Sequence, residues 1–201
     1  MRLEDIKTIG IVGAGQMGRG ISQVCATAGY QVLLVDVAEP PLTEALVKIR
    51  ASLKRAVEQE SLTDHQAGAV LALIRPKVQL DQLRDVQLVI EAIPEDLAMK
   101  QELLTELNRV CQPQTVLASN TSSMSITKLG AASGRPDRVV DLQLHESGPR
   151  DATRRSRVRP RNIRANIASG HRSGETAGES PCGGQRRAGV HREPCPDSDD
   201  Q

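Results

Sequence analysis

The chain of 201 residues holds no Phe, no Trp and one Tyr, and it carries almost no excess charge, with 26 Lys and Arg against 25 Asp and Glu. Without a sustained surplus of one sign, neither nucleic acid nor a membrane surface is held by the overall field of the protein. No apolar run approaches the ~20 residues that span a bilayer, and Met1 to Thr8 lacks the charged-then-apolar order of a secretory signal. The expected compartment is the cytoplasm. Cys25, Cys111, Cys182 and Cys195 form no Cys-x-x-Cys pair, so neither a zinc site nor a disulfide framework is expected, and they read as plain thiols.

Apolar residues are scarce along one stretch in particular. Asp141 to Gln201 has six Ile, Leu, Val or Met in 61 residues, together with eleven Arg and no Lys. Such a composition buries no core, because little apolar area offsets the entropy of ordering. The expected organisation is a folded domain over residues 1–140 followed by a disordered tail over 141–201.

What is there, before that boundary, is an alternation of short apolar runs and helical stripes. Ile6 to Val12 and Gln31 to Val35 read as buried parallel strands with a helix between them. After Pro40 and Pro41, apolar residues from Leu42 to Val57 repeat at three and four along a helix ending near Gln59, and a second helix runs from Thr63 to Ile74. Val86 to Ala92 is the next strand, Leu97 to Val110 an amphipathic helix, and Thr115 to Ala118 a strand closed by the polar run Ser119 to Ser123. Strands alternating with helices imply an α/β fold with a doubly wound parallel sheet of the Rossmann type and a helical-pair insertion.

The run Gly13-Ala14-Gly15-Gln16-Met17-Gly18 follows the first strand and opens the first helix. In that context GxGxxG is informative. Gly13 makes the tight turn, Gly15 lets backbone approach a pyrophosphate, and Gly18 lets helix and sheet pack closely. The N-terminus of the helix then faces the phosphates with its unpaired N–H groups. Asp36 ends the second strand about 20 residues on, where a carboxylate accepts from both ribose hydroxyls and repels a 2′-phosphate. The cofactor expected is NAD rather than NADP. A glycine-rich structural turn beside a surface Asp is the plainer alternative.

Three further stretches carry a resemblance. Val89-Ile90-Glu91-Ala92-Ile93-Pro94-Glu95-Asp96-Leu97, Lys100, and Ala118-Ser119-Asn120-Thr121-Ser122-Ser123, with the glycine loop, resemble the NAD-binding domain of 3-hydroxyacyl-CoA dehydrogenases. The likeness covers Ile6 to about Leu142 and includes the helical pair between Asp36 and Val86. It implies that Glu95 and Lys100 contact NAD, that Asn120 belongs to the cofactor site, and that Ser122 hydrogen-bonds the 3-hydroxyl or 3-keto oxygen of an acyl-CoA. Ser52 matches, more loosely, a coenzyme A contact. The residues by themselves leave blander readings open. Glu95 and Lys100 also fit a solvated pair at a helix start, and Ser123 fits a cap for the helix beginning near Ile126.

Past Val140 the family continues with a motif of the form Leu-His-Phe-x-Asn-Pro-Val-Pro-Val-Met, and this sequence does not. Codon logic accounts for the departure. His145 to Ala152 written CAT GAA TCC GGT CCC CGT GAT GCA and read one base later gives Met-Asn-Pro-Val-Pro-Val-Met. One surplus base inside the codon of Gln143 restores Leu-His-Phe before it, and Arg187 to Gln201 permits Ala-Pro-Gly-Phe-Ile-Val-Asn-Arg in the same shifted frame. A frame slip also explains the absent Phe and the Lys-free excess of Arg.

The resemblance then bears on activity. In the family a His, oriented by a Glu, takes the proton of the 3-hydroxyl while hydride passes to the nicotinamide. Both fall in the lost frame, and the adjacent His145 and Glu146 cannot replace a pair separated by about a dozen positions. The all-α second domain, which supplies most homodimer contacts in the family, is expected to be missing too. The expected function is therefore an NAD-dependent 3-hydroxyacyl-CoA dehydrogenase of fatty-acid or hydroxybutyryl-CoA metabolism, represented by its cofactor domain and inactive as written. Two alternatives stand beside it: a non-catalytic NAD-binding module with an Arg-rich partner-binding tail, and a β-hydroxyacid dehydrogenase. Neither a metal nor a nucleic-acid partner is expected.

Overall fold

The computed structural model describes residues 5–121 and 124–142. Six parallel strands form one sheet: β1 (Thr8–Val12), β2 (Gln31–Val35), β3 (Ile74–Lys77), β4 (Leu88–Glu91), β5 (Val116–Ser119) and β6 (Val139–Asp141), in the order β3-β2-β1-β4-β5-β6. Helices α1 (Gln16–Thr27), α2 (Glu39–Glu58), α3 (Asp64–Ala72), α4 (Leu97–Val110) and α5 (Ile126–Ala132) join them. This is the doubly wound architecture expected from the alternation.

With no Phe or Trp, the core is built from branched aliphatics on both faces. Leu88, Ile90, Val116 and Ala118 join Ile9, Ile11 and Leu34 in one apolar cluster with Ile21 of α1 and Leu42, Ile49 and Leu53 of α2. Val89 and Leu117 turn to the other face and meet Leu104 and Leu107 of α4 and Leu129 of α5. Every residue of β4 and β5 is buried, as sandwiched parallel strands require. Each such aliphatic side chain contributes about 1.5–3 kcal/mol through burial.

Three boundaries differ from the sequence expectation. The second insertion helix stops at Ala72, and Ile74–Lys77 forms a strand pairing with β2. Its Ile-Arg-Pro-Lys sequence shows no alternation, and Pro76 is tolerated because β3 is an edge strand with one neighbour. Helix α2 begins at Glu39, with Pro40 and Pro41 inside its first turn rather than ahead of it, where a missing N–H breaks no helical bond. A sixth strand over Val139–Asp141 is too short to show periodicity, yet its Val139 and Val140 are buried, and Leu142 N–H donates to Ser119 O at 3.0 Å. The expected tail lies almost wholly outside the described residues.

Register places the ends of four strands on one line. Val35 is level with Val12, Val12 with Glu91, and Glu91 with Ser119. The residues that follow them, Asp36, Gly13, Ala92 and Asn120, therefore share the carboxyl edge of the sheet. The crevice between the neighbours β1 and β4 opens there, at the point where strand order reverses and such sheets bind ligands.

Candidate functional site

Gly13 holds the turn after β1 with φ +104°, and a Cβ there would lie 2.6 Å from Ala92 O. A Cβ at Gly18 would lie 1.6 Å from Gly13 O, so no side chain fits between helix and turn. Gly15 is different: an added Cβ would meet no protein atom within 4 Å. Two glycines thus serve the packing of the turn, and the third leaves its outer face open. Gly15 is the N-cap of α1, with no side-chain cap and no acidic residue in the first turn, an arrangement suited to an anion. Gln16 is exposed, whereas Met17 is half-buried and packs against the apolar cluster under the sheet.

Asp36 is tied to this turn. Its Oδ2 accepts from Ala14 N–H at 2.7 Å and its Oδ1 from Val37 N–H at 2.8 Å, while Gly13 N–H donates to Val35 O at 2.8 Å. The carboxylate therefore fixes the glycine loop as well as presenting charge beside it. Next to it opens a cavity of about 800 Å³, bounded by Gly13, Asp36 and Val37 on one side, Val78 to Asp81 on another, and Ile93, Met99, Glu102 and Glu106 on the third. Its wall is mostly apolar with a few carboxylates, and those acids disfavour a phosphate.

Beyond the glycine turn, β4 and β5 end in a buried polar network. Lys100 Nζ lies 2.7 and 2.9 Å from the two carboxylate oxygens of Glu91, and both side chains are sealed from solvent. Glu91 Oε1 also accepts from Ile93 N–H at 2.9 Å, and Oε2 from the Ser119 hydroxyl at 2.6 Å. Lys100 reaches onward to Glu95 Oε2 at 3.2 Å, and the Thr121 hydroxyl donates to Glu95 Oε1. The solvated-pair reading of Glu95 and Lys100 is thus corrected for the lysine. It is drawn inside because a carboxylate in an all-buried strand demands a cation beside it.

Asn120 stands at the same edge, its N–H donating to Glu91 O at 3.1 Å. Ser122 and Ser123 lie outside the described residues; the neighbouring Met124 N–H donates to the Thr121 hydroxyl at 3.1 Å. Ser52 is half-buried midway along α2 and is not among the residues lining the cavity. Cys25 and Cys111 are buried free thiols, pushed up by burial to about 12 and about 11; Cys182 and Cys195 fall outside the described residues. Among the described residues no cluster of His, Cys, Asp and Glu is arranged for a metal, and no helix is long and apolar enough to cross a membrane.

Sequence reasoning missed Glu91 and Ser119 as site residues, and the wall from Val78 to Asp81. The signal for the first was present: an acid closing the apolar run Leu88-Val89-Ile90, with a Lys one turn inside the next helix.

The fold, the glycine turn and its acid define a dinucleotide-binding domain of an oxidoreductase type. Residues 8–151 match the family described as 3-hydroxyacyl-CoA dehydrogenase, NAD binding domain, and the chain belongs to that family, with NAD as its cofactor. It is 44% identical over 145 residues to a 3-hydroxybutyryl-CoA dehydrogenase of Mycobacterium tuberculosis, covering 72% of this chain and 51% of that protein. It is 38% identical to a probable 3-hydroxybutyryl-CoA dehydrogenase of Bacillus subtilis, over 72% of this chain and 50% of the relative. The solved (S)-3-hydroxybutyryl-CoA dehydrogenase of Ralstonia eutropha superposes with a TM-score of 0.69 at 37% identity, over 70% of this chain and 50% of that one. The chain spans about half the length of these relatives.

Proposed function

We propose that this chain is the cofactor-binding half of an NAD-dependent 3-hydroxyacyl-CoA dehydrogenase, and that as written it binds NAD without turning over substrate. The observation that carries the reading is the glycine turn locked by Asp36 beside the mostly apolar cavity, in a chain whose family acts on acyl-CoA. Gly15 and the open N-terminus of α1 take the pyrophosphate, and Asp36 takes the adenosine ribose and rejects a 2′-phosphate. Glu95, Lys100 and Asn120 serve the far half of the cofactor at the ends of β4 and β5. Bound NAD supplies the hydride acceptor. Ser122 orients the 3-oxygen of the acyl-CoA, and Ser52 remains the expected coenzyme A contact on α2.

Orienting an oxygen does not remove its proton. His65, on the exposed surface of α3, is the one imidazole among the described residues and does not line the cavity. General-base help contributes roughly 10² to 10⁴ in rate, and the family's pair for that role falls in the stretch where the frame departs. The test is NADH formation from 3-hydroxyacyl-CoA substrates by two proteins, the chain as written and the product of a gene lacking one base in codon 143. The first is expected to stay at background and the second to be active. Turnover by the first, or an inert second protein, overturns the proposal.

A further inference from the structure

We propose that Gly10 and Leu83 form a positioning pair that seats the cavity wall from Val78 to Asp81 and so sets how closely that wall meets the base of the dinucleotide. The inference rests on the NAD reading above. Asp36, read there as the contact of the adenosine ribose, lines the same cavity as Val78 to Asp81, so the base carried by that ribose stands against this wall. Neither Gly10 nor Leu83 lines the cavity; they act through the wall.

The wall belongs to a short crossover. Parallel strands are usually joined through a dozen or more residues, most often as an α-helix. Here residues 78–87 lead from β3 to β4, past β2 and β1 in the sheet order, and hold a single 3₁₀ turn, Leu80–Leu83. A path this short lies flat on the sheet and needs room there. The room is at Gly10. Ile9 and Ile11 of β1 pack into one apolar cluster and Val12 into the other, which puts Gly10 on the face of Val12, where it leaves a gap. Leu83 fills that gap: a Cβ at Gly10 would lie 2.6 Å from Leu83 Cδ2, 3.4 Å from Cδ1 and 3.5 Å from Cγ. Both methyls bracket the position, so exchanging them by rotation frees no space. Leu83 is fully buried, in the cluster that holds Leu104 and Leu107 of α4. A glycine inside a strand forfeits side-chain packing and marks a close approach by another part of the chain. In one turn, Leu80 and Asp81 face the cavity and Leu83 plugs the sheet, so a displaced Leu83 carries the wall with it.

The test is calorimetric titration of the full chain with NAD+ and with etheno-NAD+, which is identical except for a ring fused onto the adenine. G10A crowds the seat and is expected to weaken NAD+ about tenfold. It is expected to weaken etheno-NAD+ less, because a wall pushed off the sheet loses its fit to adenine yet leaves the larger base room. L83V empties part of the seat, holds the wall loosely, and is expected to narrow the preference for NAD+ in the same direction by less. G10A/L83V gains one carbon and gives up another, so the volume is conserved, and it is expected to recover the affinity ratio of the unaltered chain. If G10A fails to fold, L83V against the double variant carries the same comparison. Equal weakening of both dinucleotides, an unchanged ratio in the single variants, or a narrowed ratio that the double variant does not recover overturns the proposal. An unaltered chain that binds neither dinucleotide overturns the NAD reading and this inference with it. A chain that binds both and ignores the substitutions overturns this inference alone.

Discussion

Lys100 Nζ lies 2.7 Å from Oε1 of Glu91, nine residues earlier, and neither side chain is reached by water. A pair of this kind is unequal in its response to substitution. Removing only one partner, as in E91L or K100M, strands a charge in the core and is expected to lower stability by about 3–5 kcal/mol. Removing both in E91L/K100M is expected to restore most of that loss. Urea midpoints of the four proteins check the cycle; additive single losses would contradict the pairing.

The three glycines of the turn separate packing from binding. G18A places a methyl 1.6 Å from Gly13 O, and G13A adds one at φ +104° against Ala92 O, so each is expected to cost roughly 1–3 kcal/mol or more. G15A meets nothing within 4 Å and is expected to leave the melting temperature unchanged while weakening NAD+. Thermal melts beside titrations read both properties on the same samples.

Asp36 combines the two roles. Its Oδ2 accepts the Ala14 N–H, so D36A is expected to reduce stability by about 1–2 kcal/mol as well as to narrow the preference for NADH over NADPH. D36N keeps one acceptor oxygen and removes the charge. It is expected to hold the turn and still lose discrimination, which competition titrations with the two dinucleotides would show.

The buried thiols give a pH dependence. Cys25 is pushed up to about 12 from an ordinary 9.0 by desolvation, so the folded state keeps its proton where the unfolded chain has lost it. The resulting stability is whole below about pH 9 and is lost as pH rises toward 12. C25A is expected to flatten the alkaline limb of the stability profile relative to its own neutral value. At pH 8 the native thiol is expected to resist alkylation that proceeds once denaturant is added.

Much of the fold was legible because branched aliphatics in short runs have few other uses. Strand β2 and helix α4 stand where the pattern puts them, and α5 begins at Ile126 as expected. Strand β3 was hidden because an edge strand with Arg75, Pro76 and Lys77 has no apolar alternation to read, and β6 because three residues carry no period. At the site, the glycine turn was legible from its own spacing. The Lys100 network was not, since a lysine at a helix start looks solvated until the carboxylate beneath it is placed. The cavity wall from Val78 to Asp81 was invisible for a related reason: its residues come together only through the crossover after β3.

The most direct test of the central claim, that this chain holds the NAD half of a 3-hydroxyacyl-CoA dehydrogenase, is calorimetric titration of the 201-residue protein with NADH and NADPH, beside its G15A variant. Binding of NADH in preference to NADPH, lost in G15A without loss of fold, is the predicted result. Equal or tighter binding of NADPH, or NADH binding that G15A leaves untouched, would contradict it.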